Sequence, residues 1–231
     1  MKLKITLISL FVLLLPFSSY AETQDETSFW LTHLSKFKFE NNWRAFTDLQ
    51  LRYRSDDADD KSEKRTQQFL TRGALGYQFS PAFSFYQGFA ILSNLGPKRI
   101  EQRSFQQLSY KHSIDQYLIG HRIRLEQRFM EKVYDVSHRA RYAFDFISPL
   151  IPQEDISIEV SEEVFFNLND ADNGPQTGFA QNRLFVGPIF KVSDSMSLKV
   201  GYLNQFSDRH ARSNTSNHVL NFAISNSFDF S

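Results

Sequence analysis

The sequence predicts an all-β chain, an antiparallel transmembrane β-barrel of about ten strands (twelve being the alternative count), preceded by a cleaved signal peptide. Three observations lead there. Polar and apolar residues alternate with a period of two along most of the chain, the connections alternate between short and long, and a short apolar leader opens the sequence. The stretch "GHRIRLEQRF" (120–129) carries the first of these: Arg122, Arg124, Glu126 and Arg128 fall on one parity, Ile123, Leu125 and Phe129 on the other. A helix turning about 100° per residue would scatter those charges around its circumference, whereas a strand sends them all to one face.

The leader comes first in order. Lys2 and Lys4 precede "ITLISLFVLLLPF", and "SSYA" follows with small residues at Ser19 and Ala21, where a signal peptidase reads. Cleavage is expected after Ala21, so that 1–21 is signal peptide. The apolar run is shorter than the roughly 20 residues of a membrane-spanning helix, and no comparable run recurs. The expected product is exported and crosses no membrane by helices.

The next residues, 22–40, contain "FWLTHLSKFKFE", a strand-like segment in excess of the ten. It is expected to be an N-terminal plug, a periplasmic extension or an extra strand. From 41 to 231 the barrel proper is expected. "NWRAFTDLQLRYR" sets Trp43, Ala45, Leu49, Leu51 and Tyr53 against Arg44, Asp48, Gln50, Arg52 and Arg54. "FLTRGALGYQF" and "FSFYQGFAI" follow, then "EQRSFQQLSYK", whose register the pattern leaves open. "YLIGHRIRLEQRF", "YDVSHRARYAFDF", "ISIEVSEEVFF", "AQNRLFVGPIF", "MSLKVGYLNQF" and "HVLNFAISNSF" complete the set. Each is close to the 9–11 residues of a tilted membrane strand. Short turns are expected at 80–82, 112–115 and 192–195, and long polar loops at 55–64, 93–99, 169–178 and 207–215, while the loop after Phe129 is shorter and "SPLIPQED" longer than a strict alternation requires. Turns short on one side and long on the other are the habit of outer-membrane barrels. Aromatics cluster at strand ends, as two interfacial belts require: Trp43, Tyr77, Phe79, Phe83, Tyr117, Phe146 and Phe190 on the periplasmic side, Tyr53, Phe129, Tyr134, Phe166 and Phe206 on the outer side.

Composition narrows the function classes. Net charge is zero over 231 residues, which gives no reason to expect nucleic acid as a partner. Cysteine is absent, excluding disulfides, thiol catalysis and cysteine zinc sites. A mean hydropathy of −0.40 with strict alternation favours a barrel whose apolar face looks out and whose charged face is enclosed. Enclosed charge must be paired, because one unpartnered ion costs several kcal/mol. Hairpin folding sets Arg139 and Arg141 near Glu159 and Glu163, Glu163 near Arg183, Arg122, Arg124 and Glu126 opposite Arg139 and Arg141, and Arg128 opposite Asp135. These residues form the expected lumen belt, with an excess of cations.

"RIRLEQRF", "RARYAF", "EEVFFN" and "QNRLFVG", in that order after an N-terminal "FW", resemble an uncharacterised bacterial family, a domain of unknown function expected to form an outer-membrane β-barrel. The resemblance covers nearly all of the chain after the leader. It implies a Gram-negative outer-membrane location and carries over no activity and no functional residue. Outer-membrane lipid, lipopolysaccharide and the barrel-assembly machinery are the expected partners. The alternating Phe222, Ile224, Phe228 and Phe230 look like an assembly signal, although the chain ends in Ser231 where such signals end in Phe.

Chemistry-bearing residues are few. His121 and His138 fall on the outward parity, where an imidazole is more often interfacial than catalytic. His218 with Ser216 is the one weak catalytic candidate, a spacing that resembles the lipid-facing pair of outer-membrane phospholipases. Asp56, Asp57, Asp59, Asp60, Asp170 and Asp172 lack the glycine-centred spacing of a calcium loop and read as solvated. No cofactor or metal is expected. The expected function is a structural or narrow, porin-like barrel, anion-preferring if it conducts. The alternatives are a surface enzyme of phospholipase type and a loop-based adhesin or receptor.

Overall fold

The computed structural model describes residues 23–55, 66–95, 99–209 and 213–231. The leader with its expected cleavage site, and the loop bearing Asp56, Asp57, Asp59 and Asp60, lie outside the described residues. Eleven strands close into one barrel: β1 (Thr23–Phe39), β2 (Trp43–Ser55), β3 (Thr66–Gln78), β4 (Phe83–Asn94), β5 (Arg99–Ile114), β6 (Tyr117–Met130), β7 (Ser137–Ile151), β8 (Ile156–Asn167), β9 (Gly178–Lys191), β10 (Met196–Ser207) and β11 (Asn214–Phe230). Among the described residues the only helical piece is a single 3-10 turn, Pro152–Glu154.

The count is therefore neither ten nor twelve. Residues 23–39 are a full wall strand, antiparallel to β2 and parallel to β11 along its whole length, from Thr23↔Asn214 to Phe39↔Phe230. An odd number of strands in up-and-down order must meet in one parallel pair, and the chain pairs it with seventeen residues on each side. Outward rings reinforce the join: Phe29 lies 5.3 Å from Phe222, Phe37 5.4 Å from Phe228 and Phe39 5.9 Å from Phe230.

Stagger fixes the barrel's shape. Following the register around the wall leads from Lys38 through Arg44, Gly76, Tyr86, Gln107, Arg124, Arg141, Phe165, Gln181, Ser207 and Thr215 back to β1 at Gln24, fourteen residues from the start. With about 3.3 Å per residue along a strand and about 4.8 Å between strands, that stagger gives a tilt of about 40° and a backbone radius of about 11 Å.

One rim carries the short connections. Asn41 and Asn42 both have positive φ (54° and 64°), the requirement of a two-residue hairpin whose twist matches its strands. Asp115, with φ 53°, opens the two-residue link between β5 and β6, so His112 to Ile114 belong to the strand rather than to the expected turn. At "SPLIPQED" β7 continues to Ile151 through a register shift at Pro149, which explains the extra length there. The other rim carries the longer connections, except that β4 and β5 are joined by only four residues, 95–98, where a long loop over 93–99 was expected.

The two faces differ along most strands. Ile123 is 51% exposed on the outer face while its neighbour Arg124 is 3% exposed on the inner one. Leu49, Leu51, Phe69, Phe89, Leu125 and Leu220 share the outer face. So large a continuous apolar surface is far beyond what a monomer in water displays.

Candidate functional site

The candidate site is the barrel's interior. Its long-loop half is crowded. Trp30 from β1, Phe105 from β5, Phe165 from β8 and Phe185 from β9 point inward and are nearly inaccessible. Cationic groups lie over their rings: Arg52 4.2 Å from Trp30, Arg124 4.6 Å from Phe105, Arg141 4.5 Å and Arg183 4.8 Å from Phe165, and Lys199 4.7 Å from Phe185. Away from water such contacts are worth about 2 kcal/mol each. The strands make room for the rings by giving up side chains. A Cβ at Gly88 would strike the Phe105 ring, and one at Gly201 the Phe185 ring.

Carboxylates bind the remaining edges of the guanidinium groups. Glu126 accepts from Arg139 at 2.5 Å and Arg141 at 2.6 Å, with Arg124 at 3.8 Å. Glu163 accepts from Arg141 at 2.7 Å and Arg122 at 2.8 Å, with Arg183 at 3.7 Å. Arg124 also donates to Gln107, and Arg72 to Asp48. One connected network thus spans β5 to β9, and it joins Arg122, Arg124, Glu126, Arg139, Arg141, Glu163 and Arg183 of the expected belt.

Two members sit elsewhere. Arg128 binds Glu101 at 2.6 Å, and Arg103 binds the same carboxylate at 2.7 Å. Asp135, expected opposite Arg128, lies in the loop after β6 and accepts from the Asp172 amide. The strand of open register, β5, supplied the missing acid. Glu159 is bound by Lys199 of β10 at 3.0 Å rather than by Arg139 or Arg141, because β7 and β8 pair with Ile147, not an arginine, opposite it. The inward aromatics were the larger omission from the sequence reading. They share the parity of the charges, and that parity is the signal that finds them: of the two phenylalanines in "EEVFFN", Phe165 is in step with Glu163, while Phe166 is outside.

One cavity of about 1530 Å³ runs through the lumen, from Glu101, Arg128 and Gln181 past Trp30, Phe165 and Phe185 to the short-turn residues Pro81, Ala82 and Ser193. In its short-turn half Lys36, Lys38, Arg44, Lys111, Arg122 and Lys199 face the cavity, against Asp145, Glu159 and Asp229. At its rim Lys191 and Asp194 pair at 2.8 Å, and that hydrogen bond holds the Asp194 carboxyl below the usual carboxylate range.

On the outer face, Ser216 and His218 do not form a pair. The His218 ring meets the Tyr202 hydroxyl at 2.6 Å through Nδ1 and Asp25 at 3.5 Å through Nε2, while the Ser216 hydroxyl accepts from Asn204 at 2.8 Å. His121 likewise meets the Tyr142 hydroxyl at 2.9 Å. Asp170 accepts from the Thr177 amide at 2.6 Å within its own loop.

A family described as "Protein of unknown function (DUF2490)" matches residues 27–217. An uncharacterized protein of Methylorubrum extorquens is 32% identical over 163 residues, covering 68% of this chain and 71% of its own length. No solved structure matches.

Proposed function

This chain belongs to the DUF2490 family of proteins of unknown function, and we propose that it is an outer-membrane β-barrel of structural or narrow-pore type, exported through its leader and anion-preferring if it conducts. The observation that carries this is the inversion of its two faces. Apolar side chains dominate the outside of the wall, with Glu162 of β8 and the amides of β5 as exceptions, while most of the strands' charges are enclosed. In hydrocarbon only a structure with every backbone group paired and no free edge is stable, and a closed barrel meets that condition. Aromatic residues at both rims, among them Trp43, Phe79, Phe129 and Phe166, suit the two interfaces of a bilayer. In this setting the short turns face the periplasm.

Narrowness follows from the packed half of the lumen, where rings and paired guanidinium groups leave little room for solute. Anion preference follows from the surplus of cations along what remains, since rings of positive side chains repel cations. The test is membrane fractionation followed by planar-bilayer recording of the purified barrel. Protein that co-fractionates with outer membranes, changes gel mobility on boiling and yields small anion-selective steps is the expected result. Recovery as a soluble periplasmic protein would overturn the membrane assignment, and a cation-selective channel would overturn the preference.

A further inference from the structure

The cations of the lumen are unevenly distributed, and the unevenness is informative. In the packed half every carboxylate is bound by guanidinium groups. In the open half Lys38 is held by Asp229, Lys199 by Glu159 and Arg122 by Glu163, and Arg44 donates to the carbonyls of Phe39 and Trp43. The ammonium groups of Lys36 and Lys111 have neither an ion pair nor a hydrogen bond among the described residues. They stand at similar depth on β1 and β5, four strands apart on an eleven-strand wall, and so face each other across the cavity. Lys36 is near enough to Lys111 and to Lys199 for their charges to repel. The acids in reach are Glu159, already bound by Lys199, and Asp145, which also faces Arg122 and Lys199. An inward-facing pair of unneutralised ammonium groups with an aqueous opening is a receptor for negative charge. The walls around it are not wholly polar: Phe46, Tyr86, Leu118, Ile147 and Ile189 line the same space.

We propose that the short-turn half of the lumen is a binding site for a small organic anion, a phosphate or carboxylate carried on an apolar or ring-bearing body, gripped between Lys36 and Lys111. The aromatic and guanidinium layer narrows the inner end of the site, so the ligand enters and leaves by the short-turn rim. The lumen's cavity of about 1530 Å³ exceeds what an inorganic ion needs and is larger than the usual upper bound of about 1,000 Å³ for sites of organic molecules, so part of it suffices for one. This inference deepens the anion preference proposed above but needs neither conduction nor a membrane. Binding reads the cavity and bilayer recording reads the pore, so one can fail without the other.

The experiment is calorimetric titration of the full barrel in nonionic detergent at low ionic strength, with phenyl phosphate as the ring-bearing probe and inorganic phosphate as the charge alone. Phenyl phosphate is expected to bind, more tightly than inorganic phosphate, and to weaken as salt is added. Lys36→Gln combined with Lys111→Gln should weaken it about tenfold or more, as expected for losing two charges in contact with one anion. Lys36→Arg with Lys111→Arg should retain it, and Arg209→Gln at the opposite rim should leave it unchanged. Gel mobility before and after boiling shows that each variant is folded. Repeating the titration in nanodiscs with and without phosphatidylglycerol separates the sources: competition by the anionic lipid identifies a lipid headgroup, and its absence a soluble ligand. No binding by the wild-type barrel, or equal binding by the folded double Gln variant, would overturn the site.

Discussion

Glu126 shows what a single residue does in this lumen. Its two oxygens take Arg139 and Arg141, Arg124 stands close by, and its side chain is 2% exposed. Replacing it with Gln removes the charge that three buried guanidinium groups share. Breaking a buried pair from one side typically costs 3–5 kcal/mol, because the remaining charges are left without compensation. Asp229 makes a contact just as short, 2.8 Å to Lys38, but both side chains are about half exposed. Surface pairs are worth about 0–1 kcal/mol. Urea unfolding of the refolded barrel should therefore show Glu126→Gln destabilised by about 3 kcal/mol or more and Asp229→Asn scarcely changed. Equal effects would mean that water reaches Glu126 as freely as it reaches Asp229.

At the scale of the element, the parallel pairing of β1 with β11 is the feature on which closure depends. Ser35 and Asn226 face each other across that seam on the outside of the barrel, and His33 reaches the Asn226 amide at 3.1 Å. The chain has no cysteine. Ser35→Cys with Asn226→Cys should thus form a single cross-link under oxidation, seen as a gel shift that reduction reverses, whereas a Ser35→Cys partner placed at Asn204 should not react. Failure of the Asn226 pair to join would leave β1 outside the wall. Strands β2 to β4 and β6 to β11 were legible in the sequence because one face must be apolar and the other charged, and the period of two records that demand directly. β1 looked surplus because an even count was assumed, and nothing in local alternation states how many strands a barrel closes with. The register of β5 was illegible for a different reason: its outer face is polar at Ser104 and Gln106. Gln106 bonds Gln87 on β4 and Gln127 on β6, so the amides satisfy one another there, and the contrast between the faces fades. That gap hid Glu101, Arg103, Phe105 and Lys111, and with them the partner of Arg128 and one side of the open cavity.

Across the whole molecule, the two halves of the lumen set different properties. The open half carries the surplus cations and sets which ions are drawn in, while the packed half sets how many pass. Arg183 is the side chain best placed to separate the two effects. It lies over both Trp30, at 5.2 Å, and Phe165, at 4.8 Å, and so bridges rings that come from β1 and β8. Its own ion pair is long, 3.7 Å to Glu163, and that carboxylate keeps Arg122 and Arg141 when Arg183 is removed. Arg183→Ala should therefore remain folded, in contrast to Glu126→Gln, while removing the bridge between the rings. Single-channel recording should show larger steps than the wild-type barrel, with anion preference preserved because Lys36, Lys111 and Lys199 are untouched. Unchanged conductance would place the constriction away from the layer of rings. A loss of preference would mean that Arg183, rather than the open half, was selecting the ions.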